Sequence, residues 1–380
     1  MSNRWPGGLI RKTPVTPAGP FQNGAAPGVW TLAEAAFWTK QGLWPIAGNV
    51  QPRFIAVAHD TSPFITAYPW SGSGFGTKFA NPATLPVLSG IAVAFSPAGN
   101  AIAVGHASSP FINAYPWSGS GFGTKFADPA TLPASAGNGV AFSPAGNAIA
   151  VAHNTSPRIT AYPWSGSGFG TKFADPATLP TGNGNGVAFS PASDAIAVAH
   201  ETTPFVTAYP WNSSTGFGTK FANPATLPGS VVGLAVAFSP AGDAIAVGHA
   251  SSPFVTAYPW SGSGFGTKFT NPSTLPASAG YGVAFSPTGD AIAVAFETSP
   301  RIAAYPWSGS GFGTKFADPA TLPASFGYGV AFSRTGDAIA VAHASSPFVT
   351  AYPWSGSGFG AKFANPATLP TGQGNEVAFI

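Results

Sequence analysis

The chain has 380 residues, with 48 glycines, 40 prolines, no cysteine and a formal net charge of +3 carried by few, scattered charges. That composition excludes a disulfide framework and a thiolate metal site, and the absence of any lysine–arginine run argues against a nucleic-acid partner. No stretch approaches the roughly 18 apolar residues of a membrane span, so membrane insertion is not expected.

Residues 1–50 read as an extended arm rich in proline and glycine. The opening MSNRWPGGLIRKTPVTPAGP lacks the apolar core of a secretory signal, which predicts synthesis in a cytoplasm without a signal peptide. TLAEAAFWTKQG predicts one short helix over about 31–41: Thr31 and Glu34 have capping-box spacing, and Gly42 and Pro45 end it. Residues 7–45, with the phrases PGVWTL and GLWP, resemble N-terminal or linking segments of bacteriophage virion and tail-fibre proteins. The resemblance implies a virion component made in a host cytoplasm, with the arm joining it to other virion proteins.

From residue 51 onward the chain repeats. The tryptophan of AYPW recurs at Trp70, Trp117, Trp164, Trp211, Trp260, Trp307 and Trp354, at spacings of 47, 47, 47, 49, 47 and 47. A period in the forties with several short strands per unit points to a propeller blade. Within one unit GVAFS (139–143), AIAVAH (148–153), RITAYPW (158–164) and FGTKFAD (169–175) read as four strands, separated by PAGN, NTSP and SGSG turns. The proline of AYPW has no ladder donor and is expected at a strand end or bulge.

The two ends of the repeat complete each other. The first unit opens at Phe54 without a preceding VAF strand, and the chain closes on NEVAFI, a VAF strand with nothing after it. Residues 377–380 are therefore expected to join the blade begun at Phe54, which leaves no open edge between blades. The string VAFSPAGNAIAVAH…ITAYPW resembles the WD-repeat propellers over residues 54–380. The Gly-His pair of those repeats is missing and Ser or Asn stands where Asp usually follows the tryptophan. The resemblance thus implies an all-β, seven-bladed propeller of four-stranded blades and little about partners.

Three residue columns hold the ionisable groups. His59, His106, His153, His200, His249 and His343 end the AIAVAH strand, with Phe296 in the remaining copy. Single histidines on separate blades cannot share a metal at roughly 2 Å, so they are expected to bridge turn and strand within their own blades. Lys78, Lys125, Lys172, Lys220, Lys268, Lys315 and Lys362 fall on the fourth strand, where edge lysines discourage strand addition; a ring that binds an anionic surface is the alternative. Asp194, Asp243, Asp290 and Asp337, and Asp128, Asp175 and Asp318, alternate with asparagine in their columns, which suits turn chemistry and not acid–base chemistry. No Ser/His/Asp set, phosphate loop or carboxylate pair stands out, so neither an enzyme nor a cofactor is expected.

The copies differ in two places: the turn after the histidine, and the link between blades. Both are expected at one end of the ring. That end collects Tyr281, Phe326, Tyr328, Arg158 and Arg301, which predicts aromatic stacking on a host-surface glycan with Arg301 available for an acidic group. Together these features predict a non-enzymatic phage virion protein presenting a propeller for host recognition. A free carbohydrate-binding lectin is the alternative, and a glycosidase-like propeller is disfavoured by the missing acid pair.

Overall fold

The structure is a computed structural model and describes residues 53–380. The expected helix over 31–41, and the segment 7–45 that resembles virion proteins, lie outside the described residues.

Residues 53–380 form seven antiparallel sheets of three or four strands. The third blade shows the plan. Its inner strand Gly137–Phe142 pairs with Ala148–His153 (Val140 opposite Val151), which pairs with Ile159–Pro163 (Ile149 opposite Tyr162). The second strand of every blade is buried at each of its last six positions, because both faces of the sheet are covered by other blades.

The alternation of size in AIAVAH does the packing. Ala148, Ala150 and Ala152 face Ile196 and Val198 of the following blade. On the opposite face, Ile149 and Val151 meet Ala101 and Ala103 of the preceding one. Large residues from one sheet fill the space left by small residues on the next, so a period-two size pattern becomes a ring of interlocked sheets. The same contact closes the circle, with Ile55 and Val57 of the first blade against Ala338, Ala340 and Ala342 of the last.

Closure by the C-terminal strand holds as expected. Gly374–Phe379 pairs with Arg53–His59, Val377 lies opposite Val57, and the backbones of Phe54 and Ile380 exchange two hydrogen bonds of 3.1 Å. A second closure device was not anticipated. The tyrosine hydroxyl of each AYPW donates to a threonine carbonyl of the preceding blade, as Tyr162 does to Thr131 at 2.7 Å. Across the seam Tyr68 donates to Thr368 at 2.8 Å.

The fourth strand is shorter than expected. Four blades keep a two-residue outer strand, and in the other three it shrinks to a single bridge such as Trp164 to Phe169. Gly170 N–H still donates to Pro163 O at 2.8 Å, but the chain then departs to place Phe173 edge-on against Trp211 of the next blade, 5.1 Å between ring centres. Phe173 is buried there, while the ladder bonds given up would lie at an exposed edge. The column lysines therefore sit beyond the outer strand and not on it. Pro163 ends its strand, whereas in four blades the proline is followed by Trp and Ser or Asn in the same strand, where the outer partner has only begun.

Candidate functional site

The residue columns resolve first into structural groups. Each tryptophan is ringed by phenylalanines at right angles: Trp164 meets Phe126, Phe142 and Phe169 at 5.1–5.4 Å. The same arrangement surrounds Trp70, Trp117, Trp211, Trp260, Trp307 and Trp354.

The histidines are fully buried, and in five blades Nε2 bonds the threonine hydroxyl of the third strand, as His153 does to Thr160 at 2.8 Å. Burial lowers their pKa to about 4, so they are neutral in ordinary buffers. In the sixth blade Phe296 replaces the histidine and Ala303 replaces the threonine, so the polar pair is lost as a unit. In the blade of His106 the threonine gives way to Asn113, which lies opposite Val104.

All seven column lysines donate to the Asn or Asp three residues on. The SPAG(N/D) turns are closed by their serine, whose Oγ accepts from the backbone and donates to the Asn or Asp, as in Ser143–Asn147 at 2.9 Å and Ser190–Asp194 at 2.6 Å. Asp and Asn serve this turn equally.

The post-histidine turns and the inter-blade links do share one end of the ring. They bond each other there, for example Glu201 N–H to Asn183 O at 3.1 Å and Ala344 N–H to Phe326 O at 3.1 Å. Arg158 and Arg301 lie at this end with φ of 69° and 71°, and their Nη1 groups donate to the carbonyls of Pro180 and Pro323 at 3.2 and 3.1 Å. Phe326 is 47% exposed on its link. Among the described residues no ring pair joins it to the two tyrosines.

Tyr281 and Tyr328 prove to be inner-strand residues, each second in GYGVAF. The seven inner strands converge on the axis of the ring, and the second position of each forms a collar: Ile91, Asn138, Asn185, Leu234, Tyr281, Tyr328 and Asn375. This collar opens a cavity of about 540 Å³ at the variable end. The two tyrosine rings meet edge to face at 5.5 Å, 80° apart. Tyr281 donates its hydroxyl to Glu297 Oε1 at 2.7 Å, and burial together with that carboxylate raises its pKa to about 12. Asn138, Asn185 and Asn375 donate their amides to the first inner-strand carbonyl of the following blade, Gly184, Gly233 and Gly90, at 2.7–2.9 Å.

One position below the collar the inner strands carry Ala92, Gly139, Gly186, Ala235, Gly282 and Gly329, and then Glu376. Small side chains are needed there because the strands approach so closely: a Cβ on Gly282 would lie 2.6 Å from Tyr328 O. Glu376 alone puts a carboxylate into this layer, open to the lumen and enclosed by protein around it. Desolvation raises its pKa to about 7, against one backbone hydrogen bond from Val377 N–H at 3.0 Å. Sequence reasoning missed this residue. The signal was one letter, GNEVAF where other copies read GNGVAF, in a strand noticed only for its role in closure.

What these features define is a seven-bladed propeller with a ligand-sized cavity on its axis. No family model matches the sequence, and no curated protein matches it. Solved structures share the fold. A protein of Bacteroides uniformis named for 6-phosphogluconolactonase is 14% identical, with a TM-score of 0.66 over 87% of this chain and 99% of that one. The periplasmic gluconolactonase of Pseudomonas aeruginosa is 13% identical, with a TM-score of 0.65 over 86% and 99%. A protein of Lactobacillus plantarum is 14% identical, with a TM-score of 0.67 over 87% and 100%. At such identities the likeness is one of fold.

These neighbours correct the expectation that the chain is no enzyme. Proteins named as lactonases are built on the same ring. The lack of a sequence-visible triad or carboxylate pair therefore carries no weight against catalysis, because the axial cavity of this chain is lined by residues far apart in sequence.

Proposed function

We propose that the protein binds a sugar through the mouth of its central channel, and does so as a virion component held through residues 1–50. The observation that carries the binding site is the edge-to-face pair of Tyr281 and Tyr328 at the rim of the axial cavity. Aromatic faces stack on the C–H surface of sugar rings, and the amide oxygens of Asn138 and Asn185 in the same collar accept hydroxyl protons. The virion setting is supported by the sequence resemblance of residues 7–45; in it, many copies on a particle would turn a weak sugar contact into firm adhesion to a host-surface glycan. The test is a glycan array probed with the parent, Tyr281→Ala and Tyr328→Ala proteins, beside mass spectrometry of purified particles. Loss of binding in both folded variants supports the site; equal binding moves it elsewhere.

Glu376 favours a second reading on the same cavity, hydrolysis of a sugar lactone. A carboxylate whose pKa lies near 7 is suited to general base work. It would take a proton from water as the oxygen adds to the lactone carbonyl; the ring C–O bond breaks and the leaving alkoxide recovers a proton, giving the hydroxy acid. Gluconolactone turnover above the uncatalysed rate, abolished in Glu376→Gln, supports this reading.

A further inference from the structure

The axial cavity has an unusual balance of donors and acceptors. The side-chain amide nitrogens of Asn138, Asn185 and Asn375 are committed to backbone carbonyls. Asn138 gives its second amide proton to Asn154 Oδ1, and Asn375 Oδ1 accepts from Gln373 at 2.9 Å, so the collar presents the amide oxygens of Asn138 and Asn185 and no cationic donor. Below them is the Glu376 carboxylate, and beside them are two tyrosine rings, one with its hydroxyl proton already given to Glu297. No lysine, arginine or histidine lines the cavity. The column lysines are tied to their own Asn or Asp, and Arg158 and Arg301 have their Nη1 groups on backbone carbonyls. A chain of net charge +3 thus holds, on its axis, a pocket with an acid and no basic side chain to compensate it.

Such a pocket repels phosphate and carboxylate groups and lacks one partner, a cation. We propose that the channel mouth selects a ligand bearing an ammonium group, an amino sugar with a free amine, with Glu376 as its counter-ion and Tyr281 and Tyr328 as two walls of an aromatic cage. The inference deepens the sugar-binding reading and rests on it. A partly buried carboxylate without a counter-ion carries a desolvation cost, which an arriving ammonium offsets. Its attraction to the faces of Tyr281 and Tyr328, set 80° apart, adds to that pairing. The seven-fold repeat explains why there is one such site: only the copy at Glu376 departs from glycine or alanine in this layer.

The experiment is isothermal titration calorimetry of the full chain with two chitin-derived tetrasaccharides, one fully N-acetylated and one with free amines, at pH 7.0, where a substantial share of Glu376 is ionised. The free-amine tetramer is expected to bind about tenfold more tightly. Glu376→Gln, checked for an unchanged fold by circular dichroism, should abolish that preference. A third probe, the tetramer carrying permanently charged trimethylammonium groups, is titrated against the parent protein at pH 6 and pH 8. Tyr281, Tyr328 and Glu297 are the other titratable groups around the site. Affinity for this probe should rise with pH as Glu376 loses its proton, which tests the counter-ion without any substitution. Equal affinity for acetylated and free-amine sugars, or an affinity flat in pH, overturns the inference and leaves sugar binding standing. Failure of every tetramer to bind overturns both.

Discussion

Glu376 and Gly329 share one space across the boundary between the last blade and the first: a Cβ on Gly329 would lie 2.5 Å from Glu376 Oε1 and 2.8 Å from Glu376 Cα. The acid is accommodated because its neighbour has no side chain. Gly329→Ala is expected to push the carboxylate and its strand away, at a cost of about 1–3 kcal/mol from overpacking. Thermal denaturation checks the cost, and a melting temperature equal to the parent's would show that the strands part freely there.

Removing residues 376–380 takes away most of the inner strand of the first blade, including Val377, which is 3% exposed. Phe54, Ile55, Ala56, Val57 and Ala58 lose their partners, and the interface with the last blade opens. The expected loss is about 4 kcal/mol or more, beyond that of an ordinary point substitution. Chemical denaturation of the truncated chain measures it; an unchanged midpoint would mean that the ring does not depend on its closing strand.

The histidine column can be tested with a substitution the protein already contains. Thr160→Ala should leave His153 Nε2 buried without its 2.8 Å partner, costing about 1–3 kcal/mol. Adding His153→Phe reproduces the Phe296 and Ala303 pair of the sixth blade and should recover much of the loss. If the double variant is as unstable as the sum of both single changes, the pair does not act as a unit.

Mild acid should unfold the propeller. The six histidines have folded pKa values lowered from 6.5 to about 4 by burial. Below pH 6.5 the unfolded chain takes up protons that the folded one refuses, so stability falls as pH drops from 6.5 toward 4. Glu376 acts in the opposite sense: with its pKa raised to about 7, its burden on the fold is relieved as pH falls below that value. Six sites against one decide the direction. Melting temperatures measured from pH 7.5 to pH 4 should decline, and a flat profile would mean that the histidines titrate freely.

The removal of Tyr328's ring should leave the fold intact, since its side chain is half-buried at the rim and the seven AYPW tyrosines carry the inter-blade bonds. Tyr352→Phe, by contrast, removes the 2.7 Å bond to Thr321 O and should cost about 1 kcal/mol of stability without touching ligand binding. Comparing melting curves and sugar titrations of the two variants separates rim from scaffold; the same effect from both would erase that distinction.

Blade number, strand order within a blade and closure by NEVAFI were all determined by the sequence alone, because seven near-identical copies act as controls for one another and a strand missing at one end reappears at the other. The alternation of Ala with Ile and Val likewise announced a sheet covered on both faces. Three things were decided only by the tertiary structure. FGTKF leaves its ladder and carries Phe173 to Trp211 across a blade boundary, a contact between residues 38 positions apart that no local pattern encodes. Tyr281 and Tyr328 read as link residues along the chain; in space they are the rim of a channel, because the inner strand begins two residues earlier than its apolar run. And Glu376 is one acid among twelve until seven strands converge. Its chemistry comes from low dielectric and the absence of a counter-ion, properties of an enclosure formed by all seven inner strands together and by none of them singly.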